Sequence, residues 1–187
     1  MIRTARLVLR NWRDADRDDW AAMNADPQVM EFFPSTLDRV QSNALFDRFQ
    51  AAVTTRGWGL WAVEHEGRFL GFTGLNPVGF EAPFTPAIEI GWRLRRDSWG
   101  HGFATEAAVA AASFAFDTLG VPELVSFTSV GNARSRAVME RLGMTCDPID
   151  DFDHPNVAIG SPLRRHVLYR LESKRLARSM TPDSVPS

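Results

Sequence analysis

Apolar and polar positions along the chain follow two different periods, one typical of strands and one typical of helices. Period-two alternation and runs of β-branched or aromatic residues predict strands at residues 6–12, 57–64, 68–75, 88–94, 124–130 and 164–171. Apolar residues at helical spacing predict helices at residues 14–24, 37–54, 104–119 and 133–142. The second and third strands meet across Glu66 and Gly67, which indicates a hairpin. Strands and helices mixed without an internal repeat predict an α+β (mixed α/β) fold.

Two segments lack both periods and mark the limits of the domain. Residues 76–86 are rich in proline and aromatic side chains, so a loop is expected between the third and fourth strands. Residues 173–187 carry prolines and serines without an apolar pattern, which predicts a disordered tail. A single domain over residues 1–172 is therefore expected, because a chain of 187 residues is long enough to enclose one sizeable core.

Composition and charge narrow the function classes. The formal net charge of -2 and the lack of a lysine or arginine run argue against general nucleic-acid binding. Apolar runs are too short for a membrane span, and the scattered histidines have no spacing that suits a metal. The single cysteine, Cys146, excludes a disulfide framework within the chain, so a reducing cytoplasm is expected. The oligomeric state is left open, with a homodimer as one option.

The most specific local signal is the junction between the strand at 88–94 and the helix at 104–119. Gly100 and Gly102 stand at this junction, and the helix that follows contains no proline or glycine. Glycines let the backbone approach a ligand closely, and the free N–H groups and positive dipole end of a helix favour an anion. The sequence therefore predicts a phosphate or pyrophosphate ligand here.

Other phosphate-binding motifs fit this junction less well. A Walker loop needs a lysine followed by serine or threonine, which this segment lacks. A dinucleotide fingerprint needs a third glycine where the chain has Thr105. From the glycines alone, an ordinary turn without a ligand and a nucleotide-binding domain both stay open.

Three segments add to this signal: TARLVLR at residues 4–10, AIEIGW at 87–92 with WGHGFA at 99–104, and GNARS at 131–135 leading to ERLGM at 140–144. In this order they resemble the GNAT superfamily of N-acetyltransferases. Within it they are similar to the RimJ/RimL type, the ribosomal-protein alanine and serine N-acetyltransferases. The segments match that family's first strand, its fourth strand with the coenzyme A pyrophosphate loop, and the strand-to-helix segment beside the pantetheine arm.

This resemblance implies the GNAT fold, a central, mostly antiparallel twisted sheet of about seven strands flanked by about four helices. It also implies that the fourth and fifth strands splay apart and that acetyl-CoA enters the gap as a cosubstrate, without a metal. The coenzyme-binding positions that it implies are Trp92, Arg93, Leu94, Trp99, Gly100, His101, Gly102, Phe103, Ala104, Thr105, Asn132 and Ser135.

The resemblance further implies direct attack of an amine on the acetyl thioester. Glu89 is the candidate base, because alternation sets it on the strand face opposite the apolar positions. An ion pair between Glu89 and a neighbouring arginine is the alternative. Met139 stands where many members carry a tyrosine that protonates the leaving thiolate, so Ser135 is the candidate acid. Tyr169, the only tyrosine of the chain, is a second choice for that role.

The amine acceptor is implied to enter beside the first two helices and the loop after the third strand. The candidate residues for its binding are Phe32, Phe33, Phe80 and Phe84. Neutralising an α-amine at pH 7 costs roughly 1 kcal/mol, whereas neutralising a lysine costs about 4–5 kcal/mol. The sequence thus favours a protein N-terminus or a small-molecule amine as acceptor. The alternative function is a non-catalytic module that senses acyl-CoA.

Overall fold

The computed structural model describes residues 1–174 and 176, and these form a mixed α+β fold around one sheet. The helices are α1 (Arg17–Ala25), α2 (Arg39–Arg56), α3 (Phe103–Asp117) and α4 (Ala133–Arg141). The strands are β1 (Ile2–Arg3), β2 (Val8–Arg10), β3 (Leu60–His65), β4 (Arg68–Pro77), β5 (Ile88–Leu94), β6 (Glu123–Ser129), β7 (Thr145–Cys146), β8 (Phe152–Asp153) and β9 (Arg165–Glu172).

The described strands form a nine-stranded sheet in the order β1-β2-β3-β4-β5-β6-β9-β7, with β8 paired to β9. All neighbours are antiparallel except β5 and β6, which run parallel. The count is higher than the expected number of about seven, and three of the nine strands, β1, β7 and β8, have only two residues each. Segments this short are below the length at which an alternating pattern can be detected.

Capping residues explain where α2 begins and ends. Asp38 accepts a hydrogen bond from the backbone of Gln41, and the Gln41 side chain accepts one from the Asp38 N–H, which satisfies two free donors of the first turn. Gly57 follows the last turn with a φ of 77°, a left-handed conformation that glycine adopts without strain. The predicted helix at 37–54 is thus confirmed with ends that differ by two residues.

The other predicted elements are found with local differences. The predicted helix at 14–24 begins as a 3-10 turn over Asp14–Asp16 before α1 starts. The third predicted strand, at 68–75, extends to Pro77, so the loop after it begins two residues later than expected. The strand at 88–94 is found with the predicted bounds, and the helix predicted at 104–119 is found as Phe103–Asp117.

The two faces of the sheet bury two separate apolar clusters. On one face, alanines allow α3 to approach the strands closely, since five of them are 0% exposed: Ala107, Ala108, Ala111, Ala112 and Ala115. On the other face, α1 and α2 enclose an aromatic cluster around Trp20 and Phe46. Strand β5 contributes Ile90 and Leu94 to the α3 side. Its alternate positions therefore face the α1 and α2 side.

The end of the described chain lies against the domain. Leu176 is 4% exposed and belongs to the α3-side cluster. The tail predicted for 173–187 falls mostly on residue 175 and residues 177–187, which lie outside the described residues. None of the described helices has both the length and the apolar character needed to cross a bilayer.

Candidate active site

A cavity of about 1330 Å³ opens where β5 and β6 separate. These two strands are paired at one position only, Glu89 with Val125. Beyond it, residues of β5 and of the β6–α4 junction line the cavity from opposite sides, among them Trp92 and Asn132. A separated pair of strands leaves backbone N–H and C=O groups that need partners, and the amides of a ligand can supply them. The gap is therefore suited to an extended, amide-bearing ligand.

The glycine junction forms one end of this cavity. Gly100 and Gly102 have φ values of 80° and 77°, so the backbone turns through a left-handed conformation twice before α3 begins at Phe103. Among the described residues, the backbone N–H groups of residues 100–105 donate to no protein acceptor. Free amides at a helix N-terminus favour an anion. The predicted phosphate cradle thus has the required backbone geometry.

Arg6 holds this junction in place from the N-terminal segment. Its guanidinium donates to the carbonyl of His101 over 3.0 Å and pairs with Glu106 over 2.6 Å. The guanidinium carbon also lies 4.7 Å from the centroid of the Phe103 ring. The first turn of α3 and the loop before it are therefore tied to the edge of the sheet. His101 itself is exposed and contributes its carbonyl to this contact rather than its ring.

At the opposite wall, Asn132 joins β6 to α4. Its side-chain carbonyl accepts from the backbone of Ser135 over 3.2 Å, which caps the helix, and its amide donates to the Thr128 hydroxyl over 2.9 Å. The cap fixes the first turn of α4, so the half-buried Ser135 faces the cavity. Asn132 is thus the N-cap of α4, and the helix predicted at 133–142 is found as Ala133–Arg141.

Glu89 is half-buried in the cavity wall, at the position where β5 pairs with β6. Within the described part of the chain, no cation or hydrogen-bond donor offsets the loss of water around its carboxyl group, and burial raises the pKa of Glu89 from 4.5 to about 8. The alternative of an ion pair with an arginine is therefore not observed. A carboxyl group with a pKa near neutrality can accept and release a proton at working pH.

This raised pKa predicts a pH-dependent stability. The folded chain retains the Glu89 proton that the unfolded chain loses, so the free energy of unfolding falls as pH rises from 4.5 to about 8. The fall attributable to Glu89 is no more than roughly 1 kcal/mol per pH unit. Urea denaturation of the wild type and Glu89→Gln across this range measures it. The variant should gain stability relative to the wild type as pH rises, and a constant difference would contradict the assignment.

Arg93 lies two positions beyond Gly91 on the same face of β5 as Glu89. Its guanidinium donates to the Asn24 side-chain carbonyl over 2.7 Å and stacks 4.0 Å from the centroid of the Phe33 ring. Burial lowers the pKa of Arg93 to about 10. The guanidinium is therefore still charged near neutral pH, although it is held among aromatic rings.

Two histidines line the cavity beyond Glu89. The rings of His154 and His166 lie 4.9 Å apart, and His166 Nδ1 is 3.0 Å from the carbonyl of Arg164, to which its protonated form donates. Burial lowers the pKa of His154 to about 4, and burial also lowers the pKa of His166. Both rings are consequently neutral at pH 7, so this end of the cavity carries no positive charge from histidine.

Most of the residues predicted for the site line this one cavity. From the coenzyme set, all but His101 do so, and Glu89 and Ser135 lie in its wall together with Phe32 and Phe33. The structure does not bring Phe80 and Phe84 to the cavity: they pack behind it, against the Phe127 ring that lines it. The long loop after β4 folds onto the neighbouring strands, which the sequence pattern did not indicate.

Tyr169 and Met139 are also outside the cavity. Met139 is 1% exposed in the core. The Tyr169 hydroxyl donates to Glu140 over 3.1 Å and accepts from Arg136 over 3.3 Å. Neither residue lines the cavity. The second-choice role of Tyr169 as acid is therefore not supported by its position.

Sequence reasoning missed the side chains of Arg6 and Arg93. The partners of Arg6 lie about a hundred positions further along the chain, so no local pattern identifies them. For Arg93 a signal was present, since alternation along β5 places it on the same face as Glu89.

Comparisons with known proteins agree with this geometry. The family described as Acetyltransferase (GNAT) domain matches residues 6–145. The FsC-acetyl coenzyme A-N(2)-transacetylase of Aspergillus fumigatus is 31% identical over 195 residues, which cover 96% of this chain and 81% of the fungal protein. An acetyltransferase structure from Agrobacterium tumefaciens has a TM-score of 0.72 and 32% identity, covering 91% of this chain and 93% of that one.

A RimJ structure from Mycobacterium smegmatis, solved with CoA-disulfide, shares the fold with a TM-score of 0.72 at 19% identity. The match covers 91% of this chain and 83% of the RimJ chain. The chain therefore belongs to the GNAT acetyltransferase family, and RimJ/RimL-type enzymes are among the proteins that share its fold. It is an acetyltransferase enzyme rather than a non-catalytic acyl-CoA sensor.

Proposed function

We propose that this enzyme transfers the acetyl group of acetyl-CoA directly to a primary amine, either a protein N-terminal α-amine or a small-molecule amine. The observation that carries this proposal is Glu89, a carboxyl group in the cavity wall without a partner among the described residues and with a pKa raised to about 8. The name of the Aspergillus fumigatus relative records acetyl transfer from acetyl coenzyme A to an N(2) position. This is consistent with a nitrogen acceptor here.

The junction before α3 fits the diphosphate of the coenzyme. The free amides of residues 100–105 point to an anion, and a side chain at Gly102 would stand in a strained left-handed conformation within that cradle. Trp92, Arg93 and Leu94 would offer backbone groups to the pantetheine amides along the opened edge of β5. The bound coenzyme supplies an acetyl group that is activated as a thioester.

Glu89 removes a proton from the incoming ammonium group, directly or through one water molecule. Its pKa of about 8 lies close to that of an α-amine, which is also about 8, so the transfer is nearly balanced in free energy. A lysine side chain has a pKa of about 10.4, and the same transfer would be unfavourable by roughly 3 kcal/mol. The carboxyl group therefore supports an α-amine or another weakly basic amine more than a lysine.

Two further groups would complete the reaction. A backbone N–H of β5 near Trp92 or Arg93 would stabilise the negative charge that develops on the acetyl oxygen. Ser135, fixed in the first turn of α4 by the Asn132 cap, would donate a proton to the departing thiolate. Both groups lie on the walls of the same cavity as Glu89. A covalent acyl-enzyme is not needed, because the amine itself is the nucleophile.

A thiol-release assay tests this function. The purified enzyme is incubated with acetyl-CoA and a panel of peptides with free N-termini, small amines and lysine side chains on N-terminally blocked peptides. We expect free thiol to appear with at least one α-amine or small amine, and to appear more slowly with the blocked lysine peptides. Acetylated product is identified by mass spectrometry. If no amine of the panel releases thiol although calorimetry shows that coenzyme A binds, the proposal is contradicted.

A further inference from the structure

Arg93 is a buried cation without an anionic partner in the described part of the chain. Its Nε atom is fully buried without a hydrogen-bond partner, and no carboxylate pairs with its guanidinium among the described residues. Aromatic rings surround it, with the Phe33, Phe72 and Trp20 centroids at 4.0, 5.4 and 5.9 Å. An unpaired charge taken out of water is costly, so such a group signals a missing partner or a functional role.

Three arginines near Arg93 have anionic partners, whereas Arg48 and Arg141, which also line the cavity, are exposed and form no ion pair among the described residues. Arg95 pairs with Asp19 over 2.6 Å, Arg96 pairs with Asp26 over 3.3 Å, and Arg134 pairs with Glu31 over 2.6 Å. Arg134 lines the same cavity as Arg93, which makes the contrast direct. The fold thus supplies carboxylates to its neighbours and leaves the guanidinium of Arg93 available to a ligand.

The remaining donors of Arg93 suit a carboxylate. One terminal nitrogen, Nη1, is held by Asn24, which fixes the plane of the guanidinium. The edge formed by Nε and Nη2 keeps its donors, and two parallel N–H groups on one edge match the two oxygens of a carboxylate. A single guanidinium balances one negative charge, so a carboxylate is favoured over a doubly charged phosphate.

The position of Arg93 relates this anion site to the acetyl acceptor. Glu89 and Arg93 share one face of β5 and are four residues apart, which corresponds to about 13 Å between Cα atoms in an extended strand. Gly91 lies between them, and a side-chain carbon placed there would meet only the Glu89 carboxyl oxygen within 4 Å. The wall between the two groups is therefore open, and an elongated molecule can contact both.

We propose that Arg93 binds a carboxylate of the acceptor, so that the preferred substrate is an amine that carries a carboxylate several bonds from its nitrogen. The proposal rests on the proposed acetyltransferase function and names the substrate class of that site. Peptides with an acidic side chain close to the N-terminus belong to this class, because they combine an α-amine with a carboxylate several bonds away. The amine would lie at Glu89 while the carboxylate lies on the free edge of the guanidinium.

Matched substrates test this specificity. The values of kcat/KM are measured for Ala-Asp and Ala-Glu dipeptide amides against the matching Ala-Asn and Ala-Gln dipeptide amides. We expect the wild type to prefer the acids by about tenfold or more, as charge-assisted hydrogen bonds in a buried site provide. In Arg93→Gln the preference should fall at least about tenfold, and Arg93→Lys should restore part of it because charge alone is retained.

A control variant removes the same charge outside the cavity. Arg39 is 53% exposed and pairs with Asp18 on the surface, so Arg39→Gln should keep the acid preference of the wild type. Thermal unfolding and coenzyme titration verify that each variant is folded. A wild type without acid preference, or an Arg93→Gln enzyme that keeps it, would overturn the proposal.

A binding measurement separates this proposal from the proposed function. Valerate, which has a carboxylate and no amine, is titrated into the enzyme saturated with coenzyme A. Binding heat that is present in the wild type and absent in Arg93→Gln supports the carboxylate site. If no amine releases thiol in the same enzyme, only the proposed function fails. Thiol release without any effect of carboxylate or of Arg93 keeps the function and refutes the site. A tenfold loss of coenzyme affinity in Arg93→Gln, with unchanged acceptor preference, would assign the guanidinium to a coenzyme phosphate instead and overturn the proposal.

Discussion

Glu89→Gln is expected to lower kcat by roughly 10²–10⁴-fold while coenzyme affinity stays nearly unchanged. Glutamine has the size of glutamate but cannot accept the proton of the ammonium group. The residue lies where β5 pairs with β6, away from the free amides of residues 100–105 that would hold the diphosphate. Steady-state kinetics and calorimetric titration with coenzyme A measure the two quantities on the same samples.

The pH profile gives a sharper test of the same substitution. With an acceptor amine of pKa about 10, the wild-type rate should rise with pH and level off near the Glu89 pKa of about 8. In Glu89→Gln the amine must lose its proton to solvent, so the pH at which the rate levels off should increase by about 2 units. The wild-type rate rises with pH because ionised Glu89 is the active form and its fraction increases with pH.

Glu66→Gln is the matched control, because Glu66 lies exposed in the β3–β4 turn and lines no part of the cavity. Its kcat and pH profile should be those of the wild type. A Glu89→Gln enzyme with an unshifted profile would remove Glu89 from the role of base, whatever the loss in kcat.

Gly102→Val is expected to weaken coenzyme A binding by at least about 100-fold. Gly102 has a φ of 77°, a region that a β-branched residue adopts only with strain, and it directly precedes the first residue of α3. Either the loop rearranges and the free amides lose their common direction, or the added methyl groups occupy space in the cradle. Calorimetric titration with coenzyme A measures the loss.

Gly160→Val provides the control for backbone strain. Gly160 has a φ of 84° with nothing within 4 Å of an added side-chain carbon, and it lies outside the cavity. Both variants should lose thermal stability, yet only Gly102→Val should lose coenzyme affinity. Equal affinity in the two variants would show that the amides of residues 100–105 do not hold the diphosphate.

Much of the fold could be predicted from local patterns. Alternation identified β5 and its two faces, and the pair Gly100 and Gly102 marked the start of α3. The start of α4 at Ala133 was likewise predictable, because capping by Asn132 depends on residues within one turn. The two-residue strands could not be predicted, since their pairing depends on neighbours such as β9 rather than on their own sequence.

The candidate site was predicted in part for the same reason. Residues on β5 and at the two helix N-termini converge on one cavity, because strand and helix geometry dictates where their backbones point. Phe80 and Phe84 lie in a long loop without a period, and their packing against Phe127 is a tertiary contact. Aromatic character alone did not distinguish a ring that lines the cavity from a ring that lies behind it.

The sequence by itself determined the strand–glycine–helix junction, the alternation that sets Glu89 apart from its apolar neighbours, and the helix caps. Each of these depends on sterics and hydrogen bonds within a few residues. Only the tertiary structure decided that, among the described residues, Glu89 has no cation beside it and Arg93 has no anion. Desolvation and charge pairing depend on which distant elements pack around a side chain, and those contacts are not encoded in its immediate sequence.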